Sequence, residues 1–290
     1  MVICTHSGQF HTDDVFAVAL LLKKFPGADV IRSREQADFE RSDIVVDVGL
    51  VYDPERGRFD HHQGDGAGQR DNGIKYSGFG LIWKHFGLEF CIGDQEVWQR
   101  IDENLVASID ANDNGQLLYQ KNDYDTDPFS LDAAIGLLNP GFDETLDRDE
   151  QFHQAVAMAT VFLDRILIRT AAAVRADREL MAAYEIAGDK RYIILDHYIP
   201  LTKATDDMPE LLYSLYPAEI KGWMIQAVNA PKEKFTTRRP LPAAWRGLPK
   251  DDLATLTGIP DITFCHSSGF IGGAESKDAA LAMLKLALQD

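Results

Sequence analysis

The sequence has no hydrophobic run long enough to cross a membrane, and its three cysteines lie far apart without a paired metal-binding spacing. These absences argue against a transmembrane protein, a disulfide-stabilised fold and a zinc–thiolate site. The first residues also lack the basic and apolar segments of a signal peptide. We therefore expect a cytoplasmic protein with no membrane partner.

Positive charge is scarce in the first half of the chain. Residues 1–150 carry 29 acidic and 13 basic side chains, residues 151–290 carry 17 and 16, and the formal net charge is −17. A surplus of acid repels a polyanion unless cations neutralise it. The second half contains a basic cluster, which is either a solvated loop or a phosphate-binding surface. It is formed by Lys232, Lys234, Arg238, Arg239, Arg246 and Lys250.

The length of 290 residues, with 45% hydrophobic content, predicts a large core and two domains. Residues 1–150 show strand and helix patterns typical of an α/β domain with a mostly parallel sheet. Residues 151–187 contain no proline or glycine, so they predict a helical connector, which could also supply a homodimer face. Residues 188–290 predict a smaller α+β domain, with strands near 191–195 and 223–228 and a final helix from Ser276.

The first strand and helix enclose a cluster of polar side chains. Val2–Cys4 predicts a buried strand, and Val15–Phe25 predicts a helix with Thr12 as its N-cap. The residues between them lie where open α/β sheets bind ligands, and they include His6, His11, Asp13 and Asp14. Asp14 could instead act structurally, because acidic residues in a first turn interact favourably with the helix dipole.

Two later segments add donors at strand ends. Asp47 interrupts the apolar run 43–49, and a carboxylate in a buried strand is rarely tolerated unless it is paired or bound to a metal. Further on, Asp60 precedes the adjacent pair His61 and His62. Because consecutive side chains point apart, His61 could bind a metal while His62 faces the substrate, and Asp60 could orient a ring by a hydrogen bond.

A further pair of carboxylates lies at a helix end. Apolar residues recur every four positions between 94 and 110 and predict an amphipathic helix, which ends near Asp110 and Asp113. We expect Asp110 to bind metal and Asp14, Asp60 and Asp113 to support the ligands. The predicted ligands are His6, His11, Asp13, Asp47, His61 and Asp110.

Six nitrogen and oxygen donors exceed the needs of one ion whose site stays open to substrate. They suit two divalent ions ~3.5–4 Å apart, with Asp47 as the bridging carboxylate. Such hard donors favour Mn²⁺, and Mg²⁺, Co²⁺ or Zn²⁺ also fit. In this interpretation Asp47, Asp60 and His62 form the catalytic group, and His62 binds a phosphoryl oxygen or protonates the leaving group.

The order of these motifs resembles that of the DHH phosphoesterase superfamily. The segments THSGQFHTDD, DIVVDVG, RFDHHQ, DANDNG, LPAAWRGL and CHSSGFIGG are similar, nearly end to end, to the melanocyte-proliferating-gene family of predicted metal-dependent hydrolases. The first motif departs from the wider superfamily, in which a carboxylate usually stands at the position of His11. The resemblance implies metal binding by the six residues above and a substrate contact by His62.

The resemblance also assigns substrate binding to the second domain. It makes His266 and the pair Gly272 and Gly273 a counterpart of a glycine motif, and a glycine turn before a helix can hold an anion. With Arg246, these residues would clamp a phosphate ester against metals held by the first domain. A glycine pair at such a place is also common for structural reasons.

The expected function is a metal-dependent phosphoesterase. The resemblance favours a 3′–5′ exonuclease acting on RNA or DNA oligonucleotides. Hydrolysis of pyrophosphate or a nucleotide is the alternative, favoured by the acidity and by the few aromatic side chains expected on the surface. A regulatory metal-binding protein without catalysis is a third hypothesis, which leaves no role for His62.

Overall fold

The computed structural model describes residues 1–120, 123–231 and 236–289, and the chain divides into two compact units, Met1–Ala171 and Ala172–Asp290. The expected α/β class is confirmed, with one mixed sheet in each unit. The boundary between the units falls inside the segment assigned to a helical connector, so the division into 1–150, 151–187 and 188–290 stays a prediction. Over the described ranges, no helix is both long and apolar enough to cross a membrane.

The first unit contains a five-stranded sheet in the order β2-β1-β3-β5-β4. Its strands are β1 (Val2–Thr5), β2 (Asp29–Arg32), β3 (Ile44–Val46), β4 (Tyr52–Asp53) and β5 (Arg58–Phe59). β1 is parallel to β2 and β3, β3 is parallel to β5, and β4 is antiparallel to β5. Because these parallel strands end at one edge of the sheet, the side chains that follow β1, β3 and β5 are brought together there.

Helices cover this sheet and continue into the second unit. They are α1 (Thr12–Lys24), α2 (Gln36–Arg41), α3 (Gly78–Phe90), α4 (Gln95–Ile101), α5 (Ala107–Asp113), α6 (Leu131–Gly136) and α7 (Arg148–Ile186). The helix predicted over 94–110 is confirmed as α4 and α5, but a π-helical turn at Asp102–Val106 joins them. The long helical segment predicted around 150–187 is confirmed as the single helix α7.

Helix α1 is the central core element of the first unit. Its residues from Thr12 to Leu21 are buried, and Phe16 contacts Phe79 of α3 at 5.5 Å between ring centroids. The prediction that Thr12 is the N-cap is wrong, because α1 begins at Thr12 and His11 occupies the cap position. The backbone N–H of His11 donates to the side chain of Asp14 at 2.9 Å, so the aspartate in the first turn closes this end of the helix.

The third strand is shorter than the apolar run 43–49 predicts. β3 ends at Val46, and Asp47 follows with a positive φ of 57°, in the left-handed region. Aspartate tolerates this conformation better than most residues. The backbone N–H of Asp47 still donates to the carbonyl oxygen of Phe59 at 3.1 Å, so the position is fixed against β5.

The second unit is built on a five-stranded sheet in the order β6-β7-β8-β10-β9, in which β6 and β7 are parallel and the other neighbours antiparallel. Its strands are β6 (Tyr192–Ile194), β7 (Tyr213–Pro217), β8 (Trp223–Ala227), β9 (Ile262–Cys265) and β10 (Ile271–Ala274). Helices α8 (Lys250–Thr257) and α9 (Lys277–Ala287) accompany them. The strands predicted near 191–195 and 223–228 and the final helix are confirmed, and Ser276 is the N-cap of α9.

The prediction of a glycine turn before the last helix is wrong. Gly272 and Gly273 lie inside β10, where they pair with β8 and β9. A Cβ atom on Gly273 would lie 2.7 Å from Cε1 of Phe264, and one on Gly272 would lie 3.0 Å from Cδ1 of Leu241. Close packing around the strand therefore accounts for both glycines.

Candidate metal centre

His6 and Asp14 form the buried start of the centre. His6 follows β1, and its Nδ1 atom lies 3.2 Å from the carbonyl oxygen of Ser7. This contact directs Nε2 toward two carboxylates, at 3.2 Å from Oδ2 of Asp14 and 3.4 Å from Oδ2 of Asp47. Asp14 thus contacts a predicted ligand and also caps α1, and its supporting role at a metal site stays a prediction.

His11 and Asp13 approach the same place from the start of α1. His11 is exposed, and the centroid of its ring lies 5.5 Å from that of His6. Asp13 is fully buried, and its Oδ2 atom accepts a hydrogen bond of 3.1 Å from the backbone N–H of Gly78. The other carboxylate oxygen of Asp13, Oδ1, has no hydrogen-bond partner among the described residues.

Asp47 lies between two histidines. Its Oδ2 atom faces His6, and its Oδ1 atom lies 3.2 Å from Nε2 of His61. The carboxylate is buried, as expected for a residue that follows an interior strand. Each oxygen of Asp47 is therefore directed to a different imidazole.

Asp60 organises the two adjacent histidines. Its Oδ1 atom accepts hydrogen bonds from the backbone N–H groups of His61 at 2.7 Å and His62 at 3.2 Å, and it lies 2.8 Å from Nδ1 of the His62 ring. Its Oδ2 atom accepts from the backbone N–H of Leu50 at 2.5 Å. The expectation that the two rings point apart is wrong, because their centroids lie 4.2 Å apart. Oδ1 of Asp47 lies 3.2 Å from Nε2 of His61 and 3.7 Å from Nδ1 of His62. The two rings differ in exposure, since the His61 side chain is buried and the His62 side chain is 54% exposed.

The two aspartates at the end of α5 have different partners. Oδ2 of Asp113 lies 3.2 Å from Nε2 of His61. The carboxylate of Asp110 instead accepts hydrogen bonds from Nη1 of Arg70 at 2.6 Å, Oγ of Ser77 at 2.5 Å and the backbone N–H of Gly80 at 3.0 Å. The structure therefore brings Asp113, rather than the predicted ligand Asp110, beside the histidines.

The start of α3 packs against these carboxylates through glycines. A Cβ atom on Gly80 would lie 2.0 Å from Oδ2 of Asp110, and one on Gly78 would lie 2.9 Å from Cβ of Asp47. Only glycine lets the helix backbone approach so closely. The backbone N–H groups at the start of a helix have no partner within the helix, so they favour nearby negative charge. The start of α3 therefore stabilises the carboxylates of Asp13 and Asp110, which accept hydrogen bonds from it.

Burial and mutual repulsion shift the pKa values of the acidic groups. Burial raises the pKa of Asp13 well above its ordinary value, and the charges of Asp47 and Asp113 raise it further. The pKa of Asp113 is also raised, first by burial and then by Asp47. Burial acts in the same direction on Asp47, but His6 and His61 outweigh it and hold the pKa of Asp47 below its ordinary value.

The histidines respond to the same carboxylates. Burial lowers the pKa of His6, but hydrogen bonds and charge from Asp14 and Asp47 outweigh it and raise that pKa to about 10. The pKa of His62 is raised chiefly by its hydrogen bond to Asp60. The carboxylates around these imidazoles thus favour a positive charge at the site. A bound cation would supply such a charge.

Several buried polar atoms in the centre have no partner of good hydrogen-bond geometry among the described residues, apart from the His–Asp contacts of 3.2–3.4 Å given above. They are Nε2 of His6, Oδ1 of Asp13, Oδ2 of Asp14, Oδ1 of Asp47 and Nε2 of His61. Buried polar atoms are normally satisfied, and this concentration of imidazole and carboxylate atoms that face mainly one another fits a bound ligand. Donor atoms within 4.8 Å of one another form three groups that share members: Asp47 with Asp60, His61 and His62; His6 with His11 and Asp47; and His11 with Asp13 and Asp113.

The chemistry of these donors fits a divalent cation bound through oxygen and imidazole nitrogen. The three cysteines all fall in described ranges, are buried and form no disulfide. Burial raises the pKa of Cys4 to about 11 and that of Cys91 to about 12. The three donor groups found among the described residues contain no cysteine.

A pocket of about 490 Å³ opens beside these donors. His6, His11, Asp47, Asp60 and His62 form its polar wall. The remaining lining residues are Arg34, Gln36, Phe39, Val48, Gly49 and Leu50. A pocket of this size, with convergent polar groups and perturbed pKa values, is typical of a binding site for a small molecule or one end of a larger one.

The residues predicted to bind substrate in the second unit lie around the turn between β9 and β10. The backbone N–H of Gly269 in this turn donates to the carbonyl oxygen of His266, and a Cβ atom on Gly269 would lie 2.7 Å from Nε of Arg246. Arg246 and His266 are therefore neighbours. The substrate-binding role of Arg246, His266, Gly272 and Gly273 stays a prediction.

Two described members of the basic cluster, Arg238 and Lys250, bind groups of the protein itself. Lys232 and Lys234 lie outside the described residues. Arg238 donates to the backbone carbonyl oxygens of Leu211 and Thr205, and Lys250 pairs with Glu275 at 2.7 Å. Arg238 thus has a structural role, and it does not act as the solvent-facing phosphate contact that the basic composition suggests.

Two arginines of the first unit, Arg70 and Arg34, lie near the centre although the sequence interpretation does not single them out. Arg70 contacts Asp102 and Asp110 and lies 4.5 Å from the Tyr76 ring centroid, so it anchors the glycine-rich loop 64–73. Arg34 lines the pocket. Neither arginine has a local sequence signal, because their partners lie far away in the chain.

The fold and the site together define an α/β protein with a buried set of imidazole and carboxylate donors at the carboxyl ends of parallel strands. This chain belongs to the MYG1 family, since the sequence model of the uncharacterised protein family UPF0160 matches its residues 2–288. The resemblance to the melanocyte-proliferating-gene family is thereby confirmed.

Relatives from distant eukaryotes match over nearly the whole chain. The MYG1 protein of Dictyostelium discoideum is 32% identical over 315 residues, which cover 98% of this chain and 95% of the relative. The MYG1 protein C27H6.8 of Caenorhabditis elegans is 33% identical, with 99% and 95% covered. A protein of Homo sapiens named MYG1 exonuclease is 31% identical, with 99% of this chain and 85% of the relative covered.

Proposed function

We propose that this protein is a metal-dependent phosphoesterase of the DHH type that removes nucleotides from the 3′ end of RNA or DNA oligonucleotides. The observation that carries the proposal is the set of buried, hydrogen-bond-deficient donor atoms around Asp47. The exonuclease name of several relatives supports a nucleic-acid substrate. The 3′–5′ direction rests on the sequence resemblance alone.

Two divalent ions, with Mn²⁺ preferred, would share the carboxylate of Asp47. One would use His6 and His11, whose donor atoms group with Asp47. The other would use His61 and Asp113, which lie 3.2 Å apart. Asp13, grouped with His11 and Asp113, completes the set. We thus assign Asp113 as a ligand in place of Asp110, whose oxygens already accept three hydrogen bonds.

Divalent ions at such a site would activate water as a nucleophile and neutralise charge on the phosphoryl oxygens. The chain itself contributes orientation and a proton. Asp60 accepts a hydrogen bond from Nδ1 of His62, which leaves Nε2 of that exposed ring for a substrate oxygen. Because Asp60 raises the pKa of His62, the ring is protonated more fully at neutral pH, and it can donate a proton to the leaving oxygen.

Hydrolysis of a small phosphate compound, such as pyrophosphate or a nucleotide, is the second candidate. It is favoured by the formal net charge of −17, which disfavours contact with a long polyanion. A non-catalytic metal-binding role is disfavoured, because it leaves the exposed and oriented His62 unexplained. The cytoplasmic location and the homodimer stay predictions.

The test is hydrolysis by protein that has been stripped of metal and reloaded with Mn²⁺. The substrates are 5′-labelled single-stranded RNA, the equivalent DNA, and pyrophosphate. The variants are Asp47→Asn and His62→Ala, with His153→Ala, an exposed histidine of α7, as the matched control. We expect RNA shortened one nucleotide at a time by the wild type and the control, no shortening by Asp47→Asn, and little by His62→Ala despite normal metal content.

The other outcomes are equally informative. Turnover of pyrophosphate alone would replace the nuclease with a small-molecule phosphohydrolase. Binding of two ions per chain without turnover of any substrate would contradict catalysis and favour the regulatory metal-binding protein. Shortening from the 5′ end would keep the nuclease and overturn its direction.

A further inference from the structure

Arg34 is a basic residue that lines the pocket beside the metal centre. It lies in the connection between β2 and α2, and its exposed side chain lines the same pocket as His6, His11, Asp47 and His62. Its Nε atom donates to the carbonyl oxygen of Ser7 at 3.3 Å. The same oxygen lies 3.2 Å from Nδ1 of His6, so one carbonyl group links Arg34 to the first predicted ligand.

The guanidinium group of Arg34 is available for a ligand. Its Nη atoms have no hydrogen-bond or ion-pair partner in the part of the chain that the structure describes. Arg32, two residues earlier, is different: it donates to Asp149 and to the carbonyl oxygen of Gly8, and its side chain is 2% exposed. Arg32 therefore holds the fold together, whereas Arg34 does not need its Nη atoms for that purpose.

The charge of the pocket makes this arginine conspicuous. Among the described residues that line it, Arg34 is the one lysine or arginine, and Asp47 and Asp60 are carboxylates. A planar guanidinium group binds phosphate through parallel hydrogen bonds, and it keeps its charge at any pH at which the protein is folded. An exposed arginine beside a metal centre is thus suited to bind a phosphoryl oxygen that is not bound by the metal ions.

The rest of the lining is apolar where it borders the loop after β3. Phe39 is half-buried, Val48 is buried, and the Leu50 side chain is 64% exposed. Val48 packs with Cys4 and Val45 in a small apolar cluster, and Phe39 packs against that cluster. Leu50 is exposed at the pocket, and a nucleoside can cover it together with the accessible part of the Phe39 ring. The volume of about 490 Å³ falls in the range of pockets that enclose one small organic ligand.

We propose that Arg34 binds the phosphate of a nucleotide whose nucleoside part lies against Phe39 and Leu50. This inference rests on the proposed phosphoesterase function and specifies the substrate group at that site, a nucleoside 5′-phosphate unit at a chain end. Arg34 is thereby a substrate-binding residue supplied by the first unit.

The test measures binding of inorganic phosphate and of adenosine 5′-monophosphate to Mn²⁺-loaded protein by calorimetry, followed by steady-state hydrolysis of RNA. The variants are Arg34→Gln and Arg34→Lys, with Arg56→Gln as the matched control, because Arg56 is exposed in the same unit and does not line the pocket. Leu50→Ala probes the apolar wall. Metal content is measured for every variant.

Loss of a charge-assisted hydrogen bond to phosphate weakens binding by roughly 10- to 100-fold. We expect a loss of that size for both ligands in Arg34→Gln, with a raised KM, normal metal content and partial recovery in Arg34→Lys. Leu50→Ala is expected to weaken binding of the nucleotide but not of phosphate, and Arg56→Gln should match the wild type.

Two results would overturn the inference. Wild-type binding and KM in Arg34→Gln would show that Arg34 does not touch the substrate, even if the protein is a phosphoesterase. Loss of Mn²⁺ together with phosphate would show that Arg34 acts through Ser7 and His6 on the metal site. If wild-type protein hydrolysed no phosphate ester yet bound the nucleotide through Arg34, the proposed function would fail and the binding site would stand.

Discussion

Nε2 of His61 lies 3.2 Å from Oδ2 of Asp113. This contact places a residue at the end of α5 next to one that follows β5, although 52 positions separate them in the chain. Asp110, one helical turn earlier, faces Arg70, Ser77 and Gly80 instead. Asp110 and Asp113 look equivalent in the sequence but have different partners in the structure. A pair of variants can separate their effects on metal binding and on stability.

The Asp113→Asn variant is expected to lower the affinity for Mn²⁺ by at least about tenfold, as loss of a charged ligand or its support does. Its thermal stability in metal-free form should stay close to that of the wild type, because Asp113 is only half-buried. The measurement is Mn²⁺ titration by calorimetry, with thermal denaturation in a chelator.

The Asp110→Asn variant tests the other aspartate, for which we expect a loss of stability and not of metal affinity. It removes the charge that Arg70 contacts in a buried position, and an unsatisfied buried donor costs roughly 1–3 kcal/mol. We expect the free energy of unfolding to fall by about that amount, measured by urea denaturation of the metal-free protein. A result in which Asp110→Asn loses metal affinity at unchanged stability, and Asp113→Asn binds metal normally, would reverse the assignment.

His62 supplies a prediction for the dependence on pH. Its pKa is raised above the ordinary 6.5, chiefly by the hydrogen bond to Asp60. A histidine that binds its proton more tightly when folded stabilises the fold below its unfolded pKa, and this contribution is lost as the pH rises through the folded pKa. The difference in unfolding free energy between wild type and His62→Gln should therefore be largest in acid and shrink with rising pH.

Urea denaturation of metal-free wild type and His62→Gln between about pH 5.5 and about pH 9 measures this difference, over the range in which histidines titrate. The ring resonances of His62 report the folded pKa independently. A difference that is constant or grows with pH would show that Asp60 does not stabilise the protonated ring.

The start of α3 offers a steric test. A Cβ atom on Gly78 would lie 2.9 Å from Cβ of Asp47 and 3.2 Å from Oδ2 of Asp13. Gly78→Ala should displace both carboxylates, weaken Mn²⁺ binding and reduce stability by roughly 1–3 kcal/mol, as overpacking does. Both quantities are measured by calorimetric titration and by denaturation.

Gly136→Ala in α6 is the matched control, because no atom lies within 4 Å of its added Cβ. It should bind Mn²⁺ normally and change stability by less than about 1 kcal/mol. Equal effects of the two substitutions would mean that the backbone, and not contact with Asp47 and Asp13, explains the glycine at 78.

Much of the centre could be predicted because it follows strand ends. His6, Asp47 and His61 come directly after or close to β1, β3 and β5, and the carboxyl ends of parallel strands share an edge. The apolar runs mark those strands, so their polar neighbours are visible in the sequence. The structure groups His6 and Asp47 with His11, and it groups His61 with Asp47.

The distinction between Asp110 and Asp113 could not be predicted from a regular helical periodicity, which the π-helical turn at 102–106 interrupts. An extra residue in a turn rotates the helix that follows, and a periodicity of four does not reveal it. Arg70 was missed for another reason: Asp102 and Asp110 lie 32 and 40 positions away. Gly272 and Gly273 show that glycine also permits close packing inside a strand, where composition suggests a turn.

The central claim is that the donors around Asp47 hold two divalent cations, and anomalous diffraction from crystals grown with Mn²⁺ tests it most directly. The account predicts two manganese peaks ~3.5–4 Å apart, each next to one oxygen of Asp47, with His6 beside one and His61 and Asp113 beside the other. Crystals of Asp47→Asn should lose at least one peak. A centre without manganese, in crystals of protein that binds the ion in solution, would contradict the account.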